Sequence, residues 1–382
     1  VSRAPLRIVL AGAGHAHLNV LRQARALRAA GVEPLLVAPP VFHYSGLATA
    51  VLSGALAPDR ARLDVAAYAA GCGVPHIPGE VTGVDLGARR LSLSDGRELG
   101  YEAVSFNVGS VTPVPEDPGV GDIAGEGGTW PVKPLDRLAA LRRRVEDLVR
   151  EGGASPAVVV AGGGPTGFEV AAALAGLCER KGVRPDIRLL RRSPPDWAPP
   201  AALARLTSAL QERGIVMVDG EAVGRGDGAC RLADGRALPC DLLVLATGLK
   251  APPVVSGLGL PVSAEGRLRV GPTLQSTGDP AVFAAGDCAV IAGAPRPAAG
   301  VFGVRAGPVL ARNLAALASG RRMQGYAPQA RWLSILDLGD GTGLALRGRA
   351  WSLGPGALAL KRRLDLGFMA RLWATSGEVL QD

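Results

Sequence analysis

At 382 residues the chain exceeds the roughly 250–300 at which one hydrophobic core stops growing, and 48% apolar content is ample for two cores. The net charge of +8 suggests a phosphate-rich partner, but lysine occurs only at 133, 181, 250 and 361 and the other cations are arginines dispersed along the chain, so a nucleic-acid binder is not expected. Five cysteines at irregular spacing (72, 178, 230, 240, 288) offer no C-x-x-C pair and no metal set, which reads as reduced thiols in a cytoplasmic protein, and no run of about 18 apolar residues suggests a membrane span.

The chain opens with a strand-length apolar run, "LRIVLA", followed by "GAGHAH". Gly12 and Gly14 stand where a G-x-G-x-x-G turn places them, with His15 next and His17 in the position of the third glycine. Such a turn lets the backbone approach a pyrophosphate without a Cβ in the way, and the following helix aims unpaired N–H groups at it. The next strand, "PLLVAPP", ends at Ala38 without the acidic residue that would hold a ribose. His43 follows in "VFHYSGLATAVLSG", and His76 reads as a surface-loop residue.

"LSDGRELGYEAVSFNVGS", Leu93 to Ser110, reads as a hairpin turn and a strand ending at Gly109. The whole pattern then recurs. Ala157 to Ala161 is a second strand, Gly162, Gly164 and Gly167 complete the glycine pattern, and "LADGRALPCDLLVLATGL" repeats the hairpin and strand to Gly248. Two turns in register with paired downstream motifs are far more specific than one. Between them "IRLLRRS" ends in Arg191 and Arg192, which suit a 2′-phosphate where an acid would suit a ribose hydroxyl.

Glu169 lies in the first turns of the helix after Gly167, among apolar neighbours that would raise its pKa. Further on, Val282 to Ala285 reads as a buried strand, with Gly286 and Asp287 at its C-terminal mouth, where a carboxylate can accept from a polyol hydroxyl. Leu358 to Trp373 mixes Lys361, Arg362, Arg363 and Arg371 with apolar residues at near-helical spacing, and reads either as a helix at a bilayer surface or as one docked on the protein or at a homodimer contact.

"GGGPTGFE", "LVLATG" and "VFAAGDCA" resemble the two-dinucleotide-binding-domain flavoproteins of the pyridine nucleotide-disulfide oxidoreductase superfamily, here without the redox disulfide, and within them type II NADH dehydrogenases. "GAGHAHLNVLR", "YSGLATAVLSG", "PVKPLDRL" and "RPAAGVFGVRAGPVLARNL" are more similar to the flavoprotein domain found fused to selenide, water dikinase, and the stretch reads as that flavoprotein part alone. The likeness runs from Ile8 to about Trp373.

The resemblance implies an α/β protein of two Rossmann-like domains: an FAD domain over 1–115 and 241–325, an inserted NAD(P)H domain over 116–240, and a C-terminal segment over 326–382 with a basic helix. FAD would lie on Gly12 and Gly14, flanked by His15 and His17, with Gly109, Gly286 and Asp287 nearby. Phe302 and Gly303 would start the helix that faces the flavin's pyrimidine edge. NAD(P)H would lie on Gly162, Gly164, Gly167 and Gly248, with Arg191 and Arg192 favouring NADPH. Glu169 is the catalytic candidate. Quinone is one acceptor the resemblance suggests, although Val301 and Arg305 replace the glutamines that contact it in type II dehydrogenases. The expectation is a cytoplasmic FAD-dependent NAD(P)H oxidoreductase, free or peripheral on the inner face of the membrane. The alternative is a flavin-dependent redox sensor or partner-binding protein with little turnover, linked to selenium metabolism.

Overall fold

The computed structural model describes residues 4–114 and 128–377, so the expected boundary at 115/116 lies outside the described residues. Two five-stranded parallel sheets organise the chain. The first has the order Val282–Ala284, Ala103–Phe106, Leu6–Ala11, Val32–Ala38, His76–Pro78. The second has the order Thr129–Pro131, Leu242–Leu245, Ala157–Ala161, Asp186–Arg191, Ile215–Asp219. All five strands of the second fall in sequence between two neighbours of the first, Ala103–Phe106 and Val282–Ala284, so one unit is inserted in the other.

The central strands are continuous apolar runs because both faces are covered: in the second sheet Val158 and Val160 pack with helix residues such as Phe168 and Leu206, while Val159 and Ala161 pack with Cys230 and Leu232 of an antiparallel meander. Leu10 pairs with Leu36 on one side and Ser105 on the other, and Val160 pairs likewise with Leu189 and Val244. Each unit also carries a three-stranded antiparallel meander, Val81–Asp85 to Glu98–Gly100 and Ala222–Gly226 to Ala237–Pro239. The duplicated α/β architecture is therefore the one the repeated turns imply. His76 departs from expectation. It belongs to an edge strand, half-buried, with Nε2 2.9 Å from the Ala38 carbonyl oxygen.

The connections between the units run side by side. Val111 and Lys250 exchange backbone hydrogen bonds of 2.9 and 3.0 Å, and Thr112 N donates to Lys133 O at 3.4 Å. Beyond them a three-stranded sheet, Ser334–Asp337, Gly343–Arg347 and Ala350–Gly354, leads into the helix Pro355–Ser376. The sheet packs on the second unit, where Arg213 Nη1 donates to Leu338 O (2.6 Å) and Nη2 to Ala172 O (3.2 Å). The helix returns to the first unit: Met369, Leu372 and Trp373 are buried there, and Trp373 Nε1 donates to Arg62 O at 2.9 Å.

This helix contains the basic stretch 358–373, but its apolar residues do not share one face. Leu360 (41%) and Leu364 (49%) are exposed, Leu366 and Phe368 are half-buried, and Met369, Leu372 and Trp373 are buried. No described helix is long and apolar enough to cross a membrane. The C-terminal segment thus brackets both units. Trp373→Ala removes a buried indole and its hydrogen bond, and an unfolding titration should show a loss of about 3–5 kcal/mol. A loss under about 1 kcal/mol would contradict the docked helix.

Candidate functional site

Chain reversal after Leu6–Ala11 depends on Gly12, whose φ is +88° and where an added Cβ would lie 2.7 Å from Asn107 O. Gly14 is the N-cap of the helix His15–Leu21 and supplies no side-chain cap. Asn107 takes that role from the end of the neighbouring strand. Its carbonyl oxygen accepts from Gly14 N (3.0 Å), Oδ1 accepts from Ala16 N (2.9 Å) and His17 N (3.1 Å), and Nδ2 donates to Ala285 O (2.6 Å). One buried amide thus satisfies orphan donors of the helix and ties them to the loop that carries Gly286 and Asp287. Sequence reasoning missed it, although the repeat places Asn107 opposite Ala246.

The same comparison explains His17. In the second turn the helix packs directly on the glycine turn: a Cβ at Gly167 would lie 1.8 Å from Gly162 O. In the first turn an imidazole is interposed. His17 Nδ1 donates to Gly12 O at 2.6 Å, and Nε2 accepts from Ser105 Oγ at 2.8 Å, the tautomer following because a carbonyl can only accept. Burial lowers its pKa to about 4, with the Gly12 hydrogen bond opposing, so the ring is neutral and neither nitrogen is left for a ligand. His15 meets the rings of Phe42 (5.3 Å), Tyr44 (5.6 Å) and Phe368 (5.7 Å). Burial takes it also to about 4, with Asp287 raising and Lys133 lowering it. No group of metal-ligating side chains occurs among the described residues.

Asp287 lies just past the strand Val282–Ala284. Its Oδ2 accepts from Lys133 Nζ (2.7 Å) and Ser110 Oγ (2.9 Å), while Oδ1 has no hydrogen-bond partner among the described residues. Burial pushes the carboxyl up, but Lys133 and Ser110 more than reverse this and it lies below the ordinary aspartate value. The helix Gly300–Ser319 starts two residues before Phe302 and crosses close to the first helix, Gly303 facing His15 and Gly307 facing Ala16. Phe302 is buried with its ring 5.2 Å from Trp332, and with Asp287 and Tyr326 it lines a cavity of about 40 Å³. Gly109 has φ +73° and nothing within 4 Å of an added Cβ. The structure brings together Gly12, Gly14, His15, Gly286, Asp287 and the start of the helix at Gly300.

In the second unit Gly164 caps the helix Pro165–Arg180 with Pro165 at its first turn, and an added Cβ at Gly164 or Gly248 would meet nothing. Ala246 offers no counterpart of the Asn107 cap, so the first N–H groups of this helix face outward from the turn. Beside it Arg191, paired with Asp219 at 2.8 Å, lines a pocket of about 500 Å³ with Asp196, Leu203, Thr207 and Gln211. Arg192 is exposed.

Glu169 joins three parts of the chain. Its Oε1 accepts from Thr49 Oγ1 (3.0 Å) in the first unit and from Asp337 N (2.9 Å) in the C-terminal sheet. Burial raises its pKa, against the pull of Lys361. Lys361 in turn pairs with Asp365 at 3.0 Å, and Asp365 accepts from Tyr44 OH at 2.8 Å. Lys361, Asp365 and Tyr44 were not singled out from sequence as site residues. The buried charges thus lie between the second turn and the aromatic group around His15.

A family model described as pyridine nucleotide-disulphide oxidoreductase matches residues 6–313. An NADH dehydrogenase-like protein of Mycobacterium tuberculosis is 30% identical over 229 residues, 57% of this chain and 56% of that protein. The demethylphylloquinone reductase of Synechocystis is 29% identical over 227 residues, 56% and 54% of the two chains. The chain therefore spans little more than half the length of these relatives. The structure of NDH2 from Plasmodium falciparum in complex with NADH superposes with a TM-score of 0.79 over 97% of this chain and 98% of that one, and at 14% identity the likeness is one of fold.

His17 makes the turn acid-sensitive. With a folded pKa of about 4 against 6.5, the unfolded chain binds more protons between those values, so the contribution is full above about pH 6.5 and is lost as pH falls toward 4. It amounts to about 3 kcal/mol at most. Urea titrations at pH 4.5 and 7.5 should show a smaller pH effect for His17→Gln than for the wild type; equal effects would contradict the buried neutral ring.

Proposed function

The chain belongs to the pyridine nucleotide-disulphide oxidoreductase family, and from that footing we propose that it is an FAD-dependent NAD(P)H:acceptor oxidoreductase. FAD and a nicotinamide dinucleotide are its cofactors, the first on the unit of Gly12 and Gly14, the second on that of Gly162, Gly164 and Gly167. The residues suit these groups: the second glycine turn leaves the first N–H groups of its helix open, the first turn leaves the backbone around Ala13 and His15, and Asp287 keeps Oδ1 open for a hydroxyl beside it. The division proposed is 1–115 with 241–325, 116–240 and 326–382, moved at one boundary: Leu242–Leu245 pairs within the second sheet, so the inserted unit extends past residue 245.

The observation that carries the reading is the reach of Glu169 from the nicotinamide turn to the first unit. It lies on the helix that Gly164 caps, yet it hydrogen-bonds Thr49. A side chain so placed orients one ring system against the other, and that alignment is the larger part of hydride-transfer catalysis. Bound flavin supplies the two-electron carrier. The start of the helix Gly300–Ser319 opposes negative charge at the flavin with its positive dipole end, and Glu169, lifted by burial, holds a proton more readily than an ordinary glutamate.

A quinone is the acceptor this reading favours. His15, Tyr44, Phe42 and Phe368 make an aromatic wall on the side of the C-terminal helix, and a planar ring is the partner such a wall fits. Trp351, Leu360 and Leu364 are exposed on the C-terminal segment, and with Arg363 they suit a peripheral contact with an anionic membrane on the cytoplasmic side. The alternative is a flavin-dependent redox sensor or partner-binding protein with little turnover, with the link to selenium metabolism that the sequence resemblance implies. Homodimerisation is a further proposal that the site does not require.

Anaerobic mixing with NADPH separates enzyme from sensor: the enzyme bleaches its flavin band within seconds and recovers it on addition of a short-chain quinone, whereas reduction over many minutes would overturn the oxidoreductase reading. Arg191 and Arg192 favour NADPH over NADH. Arg191→Glu with Arg192→Glu should lower kcat/KM for NADPH tenfold or more and leave that for NADH within about threefold. A wild type that strongly prefers NADH would contradict the assignment.

A further inference from the structure

Lys133 is one of only four lysines, and it sits at the crossing between the two units. Val132 N donates to Leu245 O (3.0 Å), which fixes the segment to the edge of the second sheet, while Lys133 O accepts from Thr112 N on the outgoing connection. Its side chain leaves that sheet and reaches the first unit. Nζ donates to Asp287 Oδ2 (2.7 Å) and to Ser110 Oγ (2.9 Å), and the Ser110 hydroxyl donates to the same Oδ2. The two charged side chains are only 20% and 13% exposed, so solvent screens the pair little.

This arrangement consumes one carboxylate oxygen and leaves the other open. The groups facing Asp287 are Lys133 and Ser110 from the connections, His15 from the first helix and Arg267, whose Nε donates to the Asp287 backbone carbonyl at 2.9 Å. His15 is neutral, so Lys133 is the cation that acts on the carboxylate oxygens at contact distance.

We propose that Lys133 is a positioning residue for the flavin: it keeps Asp287 ionised and oriented with Oδ1 toward a cofactor hydroxyl, and ties that oxygen to the seating of the NAD(P)H unit. The proposal rests on Asp287 as the acceptor of a flavin hydroxyl. Burial alone would raise the Asp287 pKa, and Lys133 is the main group that reverses it. Removing the ammonium lets the carboxyl protonate at higher pH, and the acceptor then loses its charge-assisted hydrogen bond, roughly twice as strong as a neutral one.

Flavin released into the filtrate of the holoprotein, read by fluorescence from pH 5 to 8, tests this. Wild type and Lys133→Arg should retain flavin throughout. Lys133→Met and Lys133→Gln should retain it near pH 8 and release it at a midpoint at least one pH unit higher than wild type, a tenfold change in proton affinity. Release curves for both neutral variants that superimpose on wild type would overturn the proposal, as would pH-independent loss shared with Lys133→Arg. Asp287→Asn distinguishes the two layers: full retention by that variant sinks the reading of Asp287 itself, whereas loss there with unchanged Lys133 variants sinks only the role of Lys133.

Discussion

The side-chain amide of Asn107 is the interaction on which the first cofactor unit depends. Its oxygen serves two backbone N–H groups of the first helix and its nitrogen serves Ala285, one residue before the Gly286–Asp287 turn. The turn, the helix and the carboxylate-bearing loop come from three distant segments, and this residue sets their spacing. It also alters what the turn offers a phosphate. Two helix N–H groups that would point at a ligand are spent on Oδ1, so the backbone around Ala13 and His15 and the open oxygen of Asp287 carry more of the task.

The second constraint is the C-terminal bracket. Its sheet rests on the helix Pro165–Arg180 and its helix rests on the first unit, so the two dinucleotide units are joined through Asp337, Lys361 and Trp373 as well as through their own connections. Glu169 is the point where all three meet. A carboxylate so buried is tolerable because a hydroxyl, a backbone N–H and a nearby ammonium share its charge. The paired burial of Lys133 with Asp287 follows the same logic one layer away.

Much of the architecture was legible in the sequence. Glycine turns and the D-G hairpins are local signals, and their repetition pointed to two copies of one dinucleotide-binding unit; that one is inserted in the other was what the family resemblance implied. The start of the helix at Gly300 and the extent of the C-terminal helix were read only to within a few residues, because small and apolar residues continue past both ends. The partners of the turn were not legible. Asn107 and Lys133 act over separations of about 90 and 150 residues, and no local pattern encodes such a contact. The repeat could have pointed to Asn107 through its contrast with Ala246. The scarcity of lysine could have pointed to Lys133 and Lys361, since an arginine-rich chain that keeps a lysine in a buried place is using its compact ammonium rather than its charge alone. His17 was legible as a replacement for the third glycine, but its inward hydrogen bonds were not.

The account stands or falls on the first unit holding an adenine dinucleotide of flavin. Heat release of the cofactor from purified protein, followed by chromatographic identification and quantitation, measures this directly. The account predicts FAD, close to one per chain. FMN in its place, or protein that neither contains nor takes up FAD, would contradict it.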